Sequence, residues 1–235
     1  MKSFLYDGVE LLVEDGVFYP TETSKIFLDY LKDKKFPGAD VLDLGCGCGV
    51  VAATLAKKGV FEKFSASDIS EKAAKNTLAN TTRYDLSADV RSGSLYEPWK
   101  GHLFDLILCD VSGVASELAK ISGWFGDEIS CESGLDGTEL LNKIIRDTPR
   151  FLKTSGVLLL PVLSLSNHKK IVQTLRKTFQ VVKKVASKQF YLPKEIGRHV
   201  ELIERLNRDG HIDVEEKFGL YLWETALYEA REKKQ

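Results

Sequence analysis

The sequence predicts an α/β fold built on a seven-stranded, mostly parallel sheet with helices on both faces. Three observations lead there. Short apolar runs alternate along the chain with stretches of helical periodicity, the pattern of repeated βαβ units. One run, Phe104 to Cys109, is compact and apolar, as a strand covered on both faces requires. The chain has 235 residues, 43% hydrophobic and 29% charged, enough for one domain with a substantial core.

The elements follow in order. Residues 4–19 read as a short hairpin or extended entry with turns at Asp7-Gly8 and Asp15-Gly16. From Thr23 to about Asp33, Ile26, Phe27, Tyr30 and Leu31 recur at helical spacing. Val41 to Leu44 is a first strand and Val50 to Lys58 the helix after it. Phe64 to Ser67 is a second strand, followed by a helix from about Glu71 to Asn80. Ala88 to Arg91 and Phe104 to Cys109 are the third and fourth strands. Residues 111–137 are irregular and rich in Gly and Ser; a segment this long without structure is often functional. A helix from about Thr138 to Leu152 leads into a fifth strand, Gly156 to Leu165. Asn167 to Thr178 is a helix, Gln180 to Ser187 a sixth strand, Lys194 to Arg208 helical, and Leu220 to Tyr228 the last strand. The whole chain, 1–235, reads as one domain, with 1–36 as an entry segment and helix and 188–218 as a helical insert.

Composition narrows the function. A net charge of -1 gives no pervasive positive field for nucleic acid, and the lysines at 183, 184, 188, 233 and 234 read as solvated faces. The four cysteines (Cys46, Cys48, Cys109, Cys131) lack C-x-x-C spacing and read as free thiols of a reducing compartment. Of the four histidines, His102, His168, His199 and His211, none pairs at metal-ligand spacing, so no metal is expected. No apolar stretch approaches the ~18 residues of a membrane span. The opening MKSFLYDGVELLVEDG is unlike a signal peptide. The expectation is a soluble, cytoplasmic protein. Neither a G-x-S-x-G elbow nor a phosphate loop of the G-x-x-x-x-G-K-[ST] kind appears.

The sharpest signal is Val41-Leu42-Asp43-Leu44-Gly45-Cys46-Gly47-Cys48-Gly49. A strand runs into alternate glycines and then a helix, where the chain can turn tightly and a ligand can approach the backbone and the free N–H groups of the helix start. Nineteen residues after Gly49, Asp68 closes the second strand, where a carboxylate can accept both hydroxyls of an adenosine ribose. A dinucleotide fingerprint would want glycine where Val50 stands, which disfavours a nicotinamide-dependent oxidoreductase. The D-x-G-x-G-x-G form resembles the S-adenosylmethionine (SAM) loop of class I methyltransferases, and the resemblance runs over about residues 15–190. It implies a Rossmann-like sheet whose last strand is antiparallel, with SAM as cofactor. By this likeness Asp43, Gly45, Cys46, Gly47, Gly49 and Asp68 belong to the donor site, with Asp43 organising the loop. Ile69 takes the place of the apolar residue on the adenine face. Gly93-Ser94-Leu95-Tyr96-Glu97-Pro98 matches the turn near the adenine, putting Ser94 and Leu95 in the same set; many relatives have an acid at the Ser94 position.

On the acceptor side, Tyr19-Pro20-Thr21-Glu22-Thr23, Gly134-Leu135-Asp136-Gly137 and Pro149 to Gly156 resemble the release-factor glutamine N5-methyltransferases and small-domain methyltransferases. Those enzymes carry N-P-P-Y at the tip of the fourth strand; this chain has Asp110-Val111-Ser112-Gly113, without the rigid prolines or the stacking aromatic. Asp110 is the candidate for orienting or deprotonating the acceptor, and equally a ligand for the methionine ammonium of SAM or a cap of the loop. Tyr191, Tyr221 and Trp223 read either as lining an aromatic acceptor pocket or as two packed faces of a strand, and 188–218 as a cover near that pocket. The acceptor is open. A protein side chain or a small molecule is favoured over nucleic acid, and a non-catalytic SAM-binding module is the alternative from another class.

Overall fold

The computed structural model describes residues 1–111, 113–124 and 133–234. At the N terminus, β1 (Lys2–Tyr6) and β2 (Val9–Val13) pair antiparallel in a hairpin separate from the main sheet. Asp7 and Gly8 at its tip have φ of +45° and +80°, as a tight Asp-Gly hairpin turn demands. Helix α1 (Glu22–Leu31) begins at Thr21, whose side chain accepts from the Thr23 N–H.

The chain then enters the main sheet at β3 (Val41–Leu44) and winds outward through α2 (Val50–Lys57), β4 (Lys63–Asp68), α3 (Glu71–Arg83) and β5 (Ser87–Ser92). It returns to β6 (Phe104–Leu108) on the other side of β3 and continues through α4 (Ser116–Ser122), α5 (Glu139–Asp147), β7 (Leu152–Leu163), α6 (His168–Thr178) and β8 (Phe179–Tyr191). Two helices, α7 (Lys194–Gly197) and α8 (Val200–Arg208), lead to β9 (Glu215–Lys217) and β10 (Leu220–Lys233). The main path is β5-β4-β3-β6-β7-β10-β8. Neighbours from β5 to β7 are parallel; β10 lies antiparallel between β7 and β8. This is the expected seven-stranded, Rossmann-like sheet with its last strand reversed. The short β9 is an addition, pairing with the first residues of β10.

Side chains alternate along the central strands into two cores. Leu106 and Leu108 join Phe27, Leu55 and Phe61 on one face, whereas Ile107 and Cys109 join Leu42, Trp99 and Ile144 on the other. A third cluster, with Leu118, Leu163, Leu192, Ile196, Ile203 and Leu206, ties α4, α7 and α8 together over the carboxyl ends of the strands. The helices read from 194–208 are therefore present, broken between Gly197 and Val200.

Several expected boundaries are corrected. Within 111–137, where an irregular loop was expected, α4 forms. It has no side-chain N-cap and only seven residues, so its main signals are Leu118, Ala119 and Ser122 on one buried face and Gly123 in the left-handed conformation after its end (φ +65°). Residues 112 and 125–132 of that segment, Cys131 among them, lie outside the described residues. The helix expected to Leu152 stops at Asp147, and β7 begins at Leu152, paired with Phe104. The register shifts between Phe104 and Leu106, and a Cβ at Gly156 would sit 2.8 Å from the Phe104 carbonyl, so glycine is what lets the irregular strand pass this close.

Candidate active site

Winding outward from β3 and then back to its other side makes a switch point, and the crevice beyond the carboxyl ends of such strands is where α/β sheets bind ligands. Three carboxyls meet there: Asp43 in β3, Asp68 at the end of β4, and Asp110 two residues past β6. The glycine loop fills the gap between them. Gly45 and Cys46 donate to the Ser67 carbonyl at 2.8 and 3.0 Å, anchoring the loop to β4. A Cβ at Gly45 would collide with the Val111 side chain, so this position must be glycine for the β6 tip to pack. A Cβ at Gly47 (φ +56°) would meet nothing within 4 Å, so the bare backbone here faces open space.

Asp68 is tied to this loop directly. Its two oxygens accept from the Gly47 N–H at 3.0 Å and the Ser70 N–H at 2.9 Å. Its own carbonyl accepts from Gly93 at 2.9 Å, which brings the Gly93-Ser94-Leu95 turn beside it; Leu95 has φ of +48°. Ile69 is 69% exposed, an apolar side chain presented at the rim.

The electrostatics are one-sided. Burial pushes Asp43 up to about 7, the Ala52 N–H at 3.2 Å opposing this and the charges of Asp110 and Asp68 adding to it. Burial likewise pushes Asp110 up to about 7 against a 2.6 Å hydrogen bond donated by Ser24 Oγ. Asp68 is also raised by burial, despite its backbone donors. Among the described residues no lysine or arginine neutralises any of the three. The cysteines here are inert thiols: burial pushes Cys48 and Cys109 up to about 12 and raises Cys46 as well.

Asp43 and Asp110 thus hold their protons in the folded chain to near pH 7, against about 3.9 for an unfolded aspartate. The folded state carries more protons between those values, so the stability of the unliganded protein falls as pH rises through that window. Asp43→Asn keeps an oxygen for the Ala52 N–H and removes the charge. The variant is expected to melt several degrees above wild type at pH 8, with the two converging near pH 4; equal melting at pH 8 would show Asp43 to be uncharged or neutralised there.

Sequence reasoning missed the residues that hold the loop from behind. Thr77 Oγ1 donates to the Gly47 carbonyl at 2.9 Å, and Asn80 Nδ2 to the Cys48 carbonyl at 2.9 Å. Asn80 also exchanges both its polar atoms with the backbone of Leu12, and Asn76 bonds Leu12 and Glu14. One face of α3 therefore locks the N-terminal hairpin to the glycine loop. Asn80→Ala leaves the Leu12 N–H and the Cys48 carbonyl without this partner, while the Leu12 carbonyl keeps Asn76, and is expected to cost about 2–4 kcal/mol in urea unfolding; a loss below ~1 kcal/mol would mean water replaces the amide. Ser24, which holds Asp110, was missed as well.

At the start of α1 opens a cleft of about 210 Å³, lined by Thr23, Val114, Trp124, Phe190, Tyr191 and Trp223 among others; Thr23 precedes Ser24, the residue bonded to Asp110. Of the three aromatics read either as a pocket wall or as packed strand faces, Tyr191 and Trp223 line the cleft, and Tyr221 and Trp223 pack against the third cluster. The His199 ring lies at the surface and accepts from Arg198 Nε at 3.4 Å. No group of three or more metal-ligating side chains occurs among the described residues, and none of their helices is long and apolar enough to cross a membrane.

The arrangement fits SAM chemically. The ligand carries a sulfonium and an ammonium, and the crevice offers the buried Asp43 and the part-buried Asp68 and Asp110, with no cation against them among the described residues, and an open, side-chain-free approach at Gly47. Comparison with known proteins agrees. The family model described as methyltransferase small domain matches residues 8–110. Over 171 residues the chain is 30% identical to a Methanocaldococcus jannaschii protein named as a candidate protein N5-glutamine methyltransferase, a match covering 72% of this chain and 84% of that one. It is also 30% identical over 164 residues to a release factor glutamine methyltransferase of Gloeobacter violaceus, of which it spans 57% while 66% of this chain is matched. Among solved structures, a 16S rRNA methyltransferase of T. thermophilus in complex with AdoMet and guanosine shares the fold, with a TM-score of 0.57 at 14% identity over 98% of this chain and 50% of that one. Sheet order, glycine loop and relatives converge, and the chain belongs to the small-domain family of SAM-dependent methyltransferases.

Proposed function

We propose that this chain, as a single domain, transfers a methyl group from SAM to a nitrogen or other protonated nucleophile on a protein side chain or small molecule, with Asp110 as the base. The observation that carries this is the convergence of Asp43, Asp68 and Asp110, unneutralised, at the switch point of the sheet. Asp68 holds the ribose hydroxyls; the backbone of Gly45, Cys46, Gly47 and Gly49 receives the methionine portion. Ile69, Ser94 and Leu95 border the adenine, and Asp43 fixes the loop through Ala52 while balancing the donor's positive charge.

SAM supplies an activated methyl carbon whose bond to sulfur breaks with both electrons left on sulfur. The protein aligns and desolvates the nucleophile, and alignment alone contributes several kcal/mol. An N–H or O–H acceptor must also lose a proton. Asp110 takes it; with a pKa pushed up to about 7 it is a stronger base than an ordinary aspartate and is still largely ionised above neutrality. Ser24 holds the carboxyl in place. The segment 188–218 acts as a cover over the acceptor cleft, and buried free thiols suit work in the reducing cytoplasm.

The test is a calorimetric titration with SAM followed by transfer of tritium-labelled methyl from SAM to release-factor proteins, ribosomal proteins and small nitrogenous compounds. One-to-one binding with label transfer supports the reading. Binding without transfer to anything in a cell extract would make the chain a SAM-binding module, and no binding to folded protein would overturn the donor assignment.

A further inference from the structure

We propose that the N-terminal hairpin controls SAM affinity: its docking on α3 and the binding of the donor are thermodynamically linked through Asn80, with Asn76 and Tyr84 as positioning residues outside the donor site. The inference rests on the placement of the donor at Gly45–Gly49; the link between hairpin and loop is tested independently of it. The hairpin shares no strand with the main sheet. β2 turns one edge to β1 and the other to α3, where side chains stand in place of a third strand. The Glu10 N–H donates to Tyr84 Oη at 3.0 Å, the Leu12 N–H to Asn80 Oδ1 at 2.9 Å, and the Glu14 N–H, just past β2, to Asn76 Oδ1 at 3.0 Å. The carbonyls are taken as well: Tyr84 donates to that of Glu10, and both Asn76 and Asn80 to that of Leu12. Spacing makes this possible. Four residues of helix rise about 6 Å and two residues of strand about 6.6 Å, so positions 76, 80 and 84 stay in step with 14, 12 and 10.

Asn80 carries this ladder into the donor loop. Its Nδ2 donates to the Cys48 carbonyl at 2.9 Å as well as to Leu12 at 2.8 Å, and Thr77, one turn earlier, donates to the Gly47 carbonyl at 2.9 Å. Leu12 therefore fixes the Asn80 amide through both of its polar atoms. With Leu12 withdrawn the amide is free to rotate, and the Cys48 carbonyl loses a fixed donor. The loop it steadies holds Gly45, Gly47 and Gly49, all with positive φ, and glycine gives up more conformational freedom on ordering than any other residue. A loop already in place when the ligand arrives avoids that loss at binding, so restraint from behind is expressed as affinity. Phe4 and Leu11 of the hairpin share a core cluster with Cys46 and Cys48, so apolar packing adds to the polar ladder. Such a link is reciprocal: what docks the hairpin tightens SAM binding, and bound SAM holds the hairpin.

The experiment uses the full chain and two variants, Asn76→Ala and Tyr84→Phe, whose side chains bond the hairpin and not the loop. Tyr84→Phe removes one oxygen and keeps the ring, so it tests the ladder even if the asparagine variant folds poorly. SAM is titrated calorimetrically well below the melting temperature of each, where a residue that only stabilises the fold leaves the dissociation constant unchanged. Asn76→Ala is expected to raise that constant about fivefold or more, the lower end of couplings between sites, and Tyr84→Phe to raise it by a smaller factor. Amide hydrogen exchange of the unliganded proteins reads the link without SAM: in both variants the Gly47 and Gly49 amides should exchange faster together with Leu12, while the amides of β7 keep their wild-type rates. Unchanged SAM affinity in both variants, or loop amides that exchange at the wild-type rate, overturns the proposal. The two arms also separate the readings. SAM bound equally by wild type and variants sinks the link and leaves the donor placement standing; loop amides that respond in a chain that binds no SAM sink the donor placement, and with it the effect on SAM, but not the link.

Discussion

Asp68→Ala is expected to weaken SAM binding by two to three orders of magnitude, about 3–4 kcal/mol, in a calorimetric titration. Two losses add. A ribose would lose two charge-assisted hydrogen bonds, each among the stronger kinds a protein makes. The Gly47 N–H, held at 3.0 Å by the same carboxylate, is released, so the loop that faces the ligand loses one of its restraints. Folding should suffer less than binding, because burial already disfavours the charge on Asp68 and its removal relieves that cost. Asp68→Asn keeps one oxygen for a backbone donor while removing the charge, and belongs between wild type and alanine. A melting temperature near wild type with affinity reduced as stated identifies a donor ligand; full affinity in the alanine variant would remove Asp68 from the site.

How much of this was legible in the sequence follows from where the information lies. The placement of the Gly45–Gly49 loop and Asp68 was readable because its geometry is local: a strand, a turn that needs left-handed backbone, a helix start, and an acid at the next strand end. The sheet was readable because strands covered on both faces are apolar. What holds the site together was not. Asn76, Thr77, Asn80 and Thr81 are polar residues buried on one face of α3, and in a pattern of apolar spacing such a face reads as solvent. Asn76, Thr77 and Asn80 find backbone groups of the hairpin and the glycine loop to bond, a pairing that joins segments more than sixty residues apart in the case of Leu12 and Asn80, whereas Thr81 donates to the Leu78 carbonyl of its own helix. Ser24 is the same case: a serine in a helix pattern is unremarkable until β6 brings Asp110 to it. Helix α4 was missed for a different reason, being short and without a side-chain cap. For Trp223 the sequence left open a packed strand or a cleft wall, and the structure has both: its ring lines the cleft and packs against Trp124 and Phe190.

Asp110→Asn is expected to lower turnover by roughly 10²–10⁴-fold, the range for loss of a positioned general base, measured on the acceptor that the labelled-methyl screen returns. The substitution keeps an oxygen for Ser24 Oγ, so geometry is held while basicity is removed. In the wild type, the base is unavailable while protonated; kcat/KM should therefore rise with pH up to about 7 and level off above it. Asp43 titrates in the same range and is coupled to Asp110, so the climb belongs to the pair until a variant divides it. Asp43→Asn should keep the climb, moved to slightly lower pH because one neighbouring negative charge is gone. Asp110→Asn should abolish it, leaving a low, flat profile. If SAM affinity falls a hundredfold in Asp110→Asn while the residual rate still climbs with pH, Asp110 is a ligand of the methionine ammonium and the base lies elsewhere. SAM affinity within threefold of wild type, together with the flat profile, assigns the proton to Asp110. The raised pKa then has a function: at the switch point a carboxyl without a cation is both a base near neutrality and a counter-charge for the donor, and the same burial that makes it costly to the unliganded fold makes it effective in the reaction.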